Sequence, residues 1–498
     1  MSWTRSAALR RLVVAAATTA ALASTEAGAA AAIEPAPRSA AAPLEPAASP
    51  EVVDPASSSP RDASGPEVAA TSDEQKGSRD DTTAHAAAGA PAIDPASAPE
   101  VATSNAADPT PAHTPVQVKI GGRSTLTLSG YLETYYSYNF NRPSNGLTNF
   151  RAFDNRHNAL TLQNLALDAA WEAPRVYGRI ALQVGQAPAT YYGTSEPTQA
   201  GSSGAAGSDA ALLRNIQQAY AGVRPFKRAP GIFLEGGIFL SPIGFESLAV
   251  RDNWHWSQSP LFFSLPFYHS GLHLGADLSR RDTLKLAVYN GWNNVIDNNR
   301  EKSLALIYNH THSERLSVAA VYFTGVERAT GADERPSAGA GPIPWRHLVN
   351  VSVLGAPHRR LGLVGNLNGG IEPNRFGASG WFAVAGGVRV EATRWLFLAG
   401  RGSWFDELRA RSADGIADPI VLPNFSASPR QWLAAGTFTV DLRPARDNFA
   451  IKLEYRHDHA LQPVFFQGAV VGDGSDAAPY VANARAQDTL TLGLNAWF

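Results

Sequence analysis

The residues of this chain that could do chemistry recur at every second position instead of gathering into a catalytic motif. Lys452, Glu454 and Arg456 alternate with Ile451, Leu453 and Tyr455, and His273 and Asp277 alternate with Leu272, Leu274 and Ala276. Side chains two apart in a strand share a face, so each such segment is polar on one side and apolar on the other. The same reading turns Arg179, Gln183, Glu235, Lys285, Arg315, Arg389, Arg401 and Asp441 to the polar side. A Lys or Arg on a lipid face near the bilayer middle costs roughly 2 to 4 kcal/mol, so that many alternate charges require a face that meets water. The chemistry open to such a set is electrostatic: it attracts, orders or rejects solutes in a lumen.

Bond-making chemistry finds less support. There is no cysteine, which excludes disulfides, thiolate metal sites and cysteine catalysis. No G-x-S-x-G, H-E-x-x-H or phosphate-binding glycine loop occurs. His310-x-His312 and His457-x-His459 each place two imidazoles on one strand face, without a nearby third ligand, and read as turn or rim histidines. Asp297-Asn298-Asn299 is oxygen-rich but lacks the spacing of a calcium loop. No metal or cofactor is expected.

The elements that carry these residues are strands. Sixteen segments of period two run from 125–138 to 488–498, the last with Leu490, Leu492, Leu494, Ala496 and Phe498 on one face. Seven pairs are joined by short turns such as Ala173-Pro174-Arg175, Arg280-Arg281-Asp282 and Ala356-Pro357-His358. Eight connectors are long: 139–158, 187–213, 241–270, 291–301, 325–345, 369–380, 406–430 and 458–487. Tight turns at one rim and longer loops at the other are what a transmembrane β-barrel needs, and an even strand number puts both termini at the short-turn rim. The expected fold is therefore all-β: a transmembrane antiparallel barrel of about sixteen strands. In segment 159–172 the leucines change parity, which predicts a bulge near Gln163 and Asn164. Trp171, Tyr177, Tyr308, Tyr322, Trp345, Trp381, Trp395, Trp404, Trp432 and Trp497 fall at strand ends, as expected of aromatic girdles at the two interfaces.

The connector 241–270 carries Trp254, Trp256, Pro260, Phe262, Phe263 and Pro266. Apolar surface of that size needs burial. An inward fold that narrows the channel provides it and presents Glu246, Arg251 and Asp252 to solutes.

The N-terminus differs in character. Arg5, Arg10 and Arg11, the apolar run Leu12 to Ala23, and Ala27-Gly28-Ala29 compose a secretory signal over residues 1–29. Residues 30–115 contain no aromatic residue and hold four Lys/Arg against thirteen Asp/Glu, a balance of −9. Such a segment buries too little apolar surface to fold and is expected to be a disordered periplasmic linker. Residues 116–498 hold 35 Lys/Arg against 30 Asp/Glu, a mild +5 that leans toward anions and gives no footprint for nucleic acid.

Four stretches resemble a known family: Gln218-Ala219-Tyr220; Gly237-Ile238-Phe239-Leu240-Ser241-Pro242-Ile243-Gly244-Phe245-Glu246; Leu265-Pro266-Phe267-Tyr268-His269-Ser270-Gly271; and Asn290-Gly291-Trp292-Asn293-Asn294-Val295-Ile296-Asp297-Asn298-Asn299. Together they resemble the OmpL-like β-barrel porins of Gram-negative outer membranes, over most of residues 120–498. The resemblance implies passive passage of small solutes, and Trp497-Phe498 resembles the end signature read by barrel-insertion machinery. The partners then expected are outer-membrane lipid and lipopolysaccharide, small hydrophilic solutes, that machinery and a second copy of the chain.

The sequence reading is thus a porin in the outer membrane with its N-terminal tail in the periplasm. A barrel-based outer-membrane enzyme and a tether to the cell wall are the alternatives. Deleting residues 30–115 separates the last of these, because a tether loses its function while a pore keeps its conductance in a planar bilayer.

Overall fold

The computed structural model describes residues 115–192, 213–297, 299–327, 345–374, 377–408, 430–445, 448–475 and 478–498. The expected export signal and acidic linker lie outside them. The strands are β1 (Val116–Ile120), β2 (Ser124–Asn139), β3 (Ala159–Glu172), β4 (Val176–Val184), β5 (Ile216–Val223), β6 (Ile232–Leu240), β7 (Tyr268–Asp277), β8 (Asp282–Tyr289) and β9 (Ser303–Ser313). They continue as β10 (Leu316–Val326), β11 (Trp345–His358), β12 (Leu361–Asn374), β13 (Gly377–Thr393), β14 (Leu396–Leu408), β15 (Arg430–Leu442), β16 (Phe449–Ala460) and β17 (Ala486–Trp497). A short helix, α1 (Gln186–Tyr192), follows β4.

From β2 to β17 every strand pairs antiparallel with its chain neighbours, and β17 closes on β2 from Thr489 opposite Asn139 to Trp497 opposite Tyr131. The result is a closed barrel of sixteen strands. Gly130 and Phe498 exchange two backbone hydrogen bonds of 3.2 and 3.1 Å at the seam. The β1 strand pairs with Ser124 to Leu128, and so covers the part of the β2 edge that extends past the end of β17. Closure matters because hydrocarbon offers no partner to an unpaired N–H or C=O.

Facing follows the alternation. Leu272 and Leu274 are 54% and 52% exposed on the outside, whereas His273 between them is 4% exposed. Leu453 and Tyr455 face out, while Lys452, Glu454 and Arg456 are buried inside. The phase change in β3 is a bulge: Asn164 pairs with Glu133 and Leu162 with Thr134, leaving Gln163 as the extra residue. Gln163 nevertheless turns inward, donating to Glu133 at 3.2 Å.

Four details correct the sequence reading. The connector expected at 369–380 is mostly strand, since β12 runs to Asn374 and pairs with β13 back to Gly377. Its glycines read as loop, yet they sit in the ladder. Pro357 and His358 likewise belong to β11, and the turn is Arg359-Arg360. Arg315 lies exposed in the two-residue turn Glu314-Arg315 between β9 and β10 and not on a strand. Finally, Tyr177, Trp381 and Trp497 leave the outer girdle. Trp381 and Trp497 are buried inside, and Tyr177 donates to the inward Glu235 at 2.9 Å.

Long connectors turn into the barrel and build a core there. Phe150 and Phe153 from connector 140–158, Phe262 and Phe267 from connector 241–267, and Phe465 from connector 461–485 form one cluster with Phe323, Trp381 and Phe405 of the wall. Phe153 meets Phe262 edge-on at 5.7 Å, and Phe150 meets Phe465 edge-on at 6.1 Å. The ends of the strands thus bury apolar loop surface that water would otherwise face.

Outward and inward positions should answer differently to charge. Leu453→Arg is expected to lower the folding free energy by about 2 to 4 kcal/mol in urea titrations of vesicle-inserted protein. An effect near zero would mean that this face does not meet hydrocarbon.

Candidate functional site

Connector 241–267 crosses the lumen as two 3₁₀ turns, Val250–Asp252 and Pro260–Ser264, joined by an extended stretch. Its backbone is gripped by three alternate residues of β16. Lys452 Nζ donates to the carbonyls of Val250, at 2.9 Å, and of Asn253. Glu454 accepts from the amides of Trp256 and Ser257 at 2.6 and 3.1 Å, and from Ser257 Oγ at 2.5 Å. Arg456 Nη1 donates to the carbonyl of Gln258 at 2.5 Å. Cation, anion, cation along the strand meet carbonyl, amide, carbonyl along the loop. Each buried charge thereby receives the charge-assisted hydrogen bonds that burial demands.

Neighbouring strands complete the seat. From β2, Glu133 accepts from the Val250 amide at 2.6 Å. Arg401 of β14 pairs with Glu246 at 2.5 Å and donates to the Ser257 carbonyl at 2.8 Å. Glu246 in turn accepts from the Ser259 amide at 2.8 Å, tying the two ends of the loop together. Two tryptophans fill holes in the wall. A side chain at Gly493 would lie 2.0 Å from the ring of Trp256, and one at Gly362 2.8 Å from that of Trp254. Both indoles are buried, at 0% and 5% exposure. Gly291, at φ 129°, supplies the turn after β8 that brings Trp292 inward against Trp381.

The wall from β3 to β8 carries a second charged set. Arg179 of β4 pairs with Asp168 of β3 through two hydrogen bonds of 2.9 Å from Nε and one of 2.5 Å from Nη2. Glu235 of β6 gathers Tyr177, His273 at 3.0 Å and Lys285 at 3.2 Å, and His273 reaches Tyr289 at 2.8 Å. From the loop, Arg251 lies over the Tyr131 ring at 5.1 Å, with Asp252 3.7 Å away. Gln217 joins Tyr131 to Gln183 at 2.7 and 3.2 Å.

The candidate residues therefore divide. Lys452, Glu454, Arg456, Arg401 and Glu246 are brought together with Trp254 and Trp256 as the seat of the loop. Arg179, Gln183, Glu235, His273 and Lys285 stand on the other wall, with Asp277 on the same face of β7 nearer the short turns. Arg389 stacks on Phe397 at 4.1 Å and pairs with Asp441 at 3.4 Å. Sequence reasoning passed over Glu133 and Asp168, which the strand alternation could have found. It also passed over Arg151, which pairs with Asp154 at 3.2 Å and Asp458 at 3.6 Å and fastens connector 140–158 to β16. No periodicity marks a loop residue, so Arg151 gave no signal.

Comparison with known proteins follows the same direction. Residues 125–498 match the family described as "Putative beta-barrel porin-2, OmpL-like". The chain belongs to this porin family. As a porin it is a passive channel of the outer membrane. No curated protein matches. Among solved structures, the channel DcaP of Acinetobacter baumannii is similar at 12% identity and a TM-score of 0.45, over 76% of this chain and 99% of that one. An anion-selective porin from Comamonas acidovorans is similar at 10% identity and 0.45, over 75% and 100%. OmpT of Vibrio cholerae is similar at 10% identity and 0.43, over 75% and 98%.

His255 sits in the loop seat, 2.8 Å from Thr439 Oγ1 and 3.9 Å from Glu454. Burial, then the charges of Arg401, Lys452, Arg456 and Arg389, hold its imidazole well below the ordinary range. A released loop would return it to about 6.5. The seated form is therefore at full strength above that value and weakens as pH falls below it, by up to about 1.4 kcal/mol per pH unit. From pH 7.5 to pH 5.5, proteolysis of connector 241–267 in the folded porin should accelerate relative to that of the His255→Gln protein. Glu454→Ala should weaken the seat by about 3 to 5 kcal/mol, read as faster cleavage at every pH.

Proposed function

We propose that small hydrophilic solutes and ions cross this barrel on the side of the lumen between the loop turn Val250–Asp252 and the wall of β3 to β9. A contrast in hydration carries the reading. On that side the side chains of Asp168, Arg179 and Lys285 are 10%, 18% and 14% exposed, and those of Arg251 and Asp252 are 16% and 35% exposed. On the β16 side Lys452 and Arg456 are 0% exposed. Charges that remain wet while their counterparts are fully buried mark where an aqueous path can run. The aromatic cluster among the long connectors narrows it, so conductance is set by loops and not by the barrel diameter.

Arg251 and Arg179 are each accompanied by an aspartate, Asp252 and Asp168. Local field, not net charge, sets selectivity in a narrow lumen. This pairing favours a weakly selective pore, leaning to anions only when an aspartate is removed.

A hydrolytic reading has one observation to answer, since His255, Ser257 and Glu454 lie together. Their order is wrong for nucleophile activation. Ser257 Oγ donates to Glu454 at 2.5 Å, while His255 turns to Thr439 at 2.8 Å. All three are buried and bound into the loop seat, which supports a channel over an enzyme. For the N-terminus our reading is that residues 1–29 direct export and residues 30–115 are a periplasmic spacer, with residues 116–498 as the barrel.

Planar-bilayer recording tests the pore. Stable ohmic steps are expected from purified protein, and a membrane that stays sealed would overturn the proposal. In a salt gradient, Asp252→Asn and Asp168→Asn should each move the reversal potential toward the anion limit, and Arg251→Gln toward the cation limit.

A further inference from the structure

The mild positive balance of the barrel conceals a strongly basic rim. The seven short turns, 173–175, 224–231, 278–281, 314–315, 359–360, 394–395 and 443–448, hold twelve Lys/Arg and two Asp/Glu in 27 residues. The eight connectors of the opposite rim hold thirteen and fourteen in 156 residues. One rim thus carries +10 and the other −1. Lys227-Arg228, Arg280-Arg281 and Arg359-Arg360 form adjacent pairs on three separate turns, and all six are exposed. None of the six makes an ion pair among the described residues.

We propose that the short-turn rim is a docking surface for the phosphate-bearing headgroups of anionic phospholipid in the leaflet that borders it. Among the described residues exposed cations stand on six of the seven turns, while Arg443 of the seventh turns inward to Asp441, so the exposed set complements a plane and not a compact ligand. Like charges so placed repel one another unless counter-charge is supplied. Each turn is short and continues directly into strands whose outer faces are apolar, so its exposed cations are held close to headgroup depth. Exposed apolar side chains stand beside them: Phe226 (55%) next to Lys227, Leu278 (60%) near Arg280 and Trp395 (49%) next to Arg394. Apolar contact paired with basic charge at a membrane surface is how proteins recognise anionic leaflets. The inference is independent of whether the lumen conducts.

The test uses the full chain reconstituted in phosphatidylethanolamine vesicles containing a minor share of phosphatidylglycerol. Spin-labelled lipids of each kind report the fraction immobilised at the protein surface. The wild-type protein should prefer the anionic probe, and raised salt should weaken that preference. Replacing Lys227, Arg228, Arg280, Arg281, Arg359 and Arg360 by Gln should lower the preference by at least about fivefold, the factor that one basic residue near an anionic surface contributes. Arg300→Gln with Arg485→Gln, two exposed positions on the other rim, should leave it unchanged. A preference that survives the sixfold change, or falls equally in the control, overturns the proposal. Displacement of the labelled lipid by soluble glycerol phosphate at matched ionic strength does so as well, because it would identify a free-anion site. Should the sixfold variant fail to fold, as judged by heat-modifiable migration, the three pairs are neutralised one turn at a time and read the same way.

Discussion

A chain lodged in hydrocarbon has no solvent to satisfy a stray N–H or C=O, and this constraint governs every other feature of the molecule. The sheet meets it by returning to its own first strand, where β17 pairs with β2 over Thr489 to Trp497. The β1 strand then occupies the stretch of β2 that would otherwise remain an open edge. Once the ring is closed, period two has only one consistent meaning. One face of each strand belongs to lipid and the other to an enclosed space, and charged residues can survive only in the second.

That enclosed space is not simply wet. Along β16 the sign of charge alternates as Lys452, Glu454 and Arg456, and a peptide backbone offers carbonyls and amides in the same rhythm. The wall therefore binds a loop by its main chain, which leaves the side chains of the loop free to pack. Trp254 and Trp256 do so against positions where the wall carries glycine. The seat of the loop lies on β2, β14 and β16, whereas a second charged set lines β3 to β8. Asymmetry of the lumen is thus a consequence of where the buried ion pairs fall.

The two rims divide labour through connector length. Long connectors have enough chain to turn inward and bury their phenylalanines, as 140–158 and 241–267 do. Turns of two to eight residues have little chain to fold away, so most of their charge stays at the rim; Arg443, which turns inward to Asp441, is the exception. The short turns carry an excess of cations that the mean composition hides, because the strands and long connectors offset it.

Much of the architecture was legible beforehand for a physical reason. Strand facing is local: Leu272, His273 and Leu274 reveal their sides through period two alone, and the bulge at Gln163 shows as a slip in that period. Strand number and closure parity follow from counting connectors. The limits were equally physical. Gly369 and Gly370 look like loop but lie in the ladder, since their partner strand reaches them. The girdle reading erred at Trp381 and Trp497 because position along a strand does not reveal which face an end residue takes. The order of residues alone thus determined an amphipathic chain with a row of charges on one face and an apolar loop in need of cover. Tertiary structure decided which of those charges are locked under that loop and which stay partly exposed, because pairing Glu246 with Arg401, or Arg151 with Asp458, joins residues more than a hundred positions apart, and only a closed ring brings them face to face.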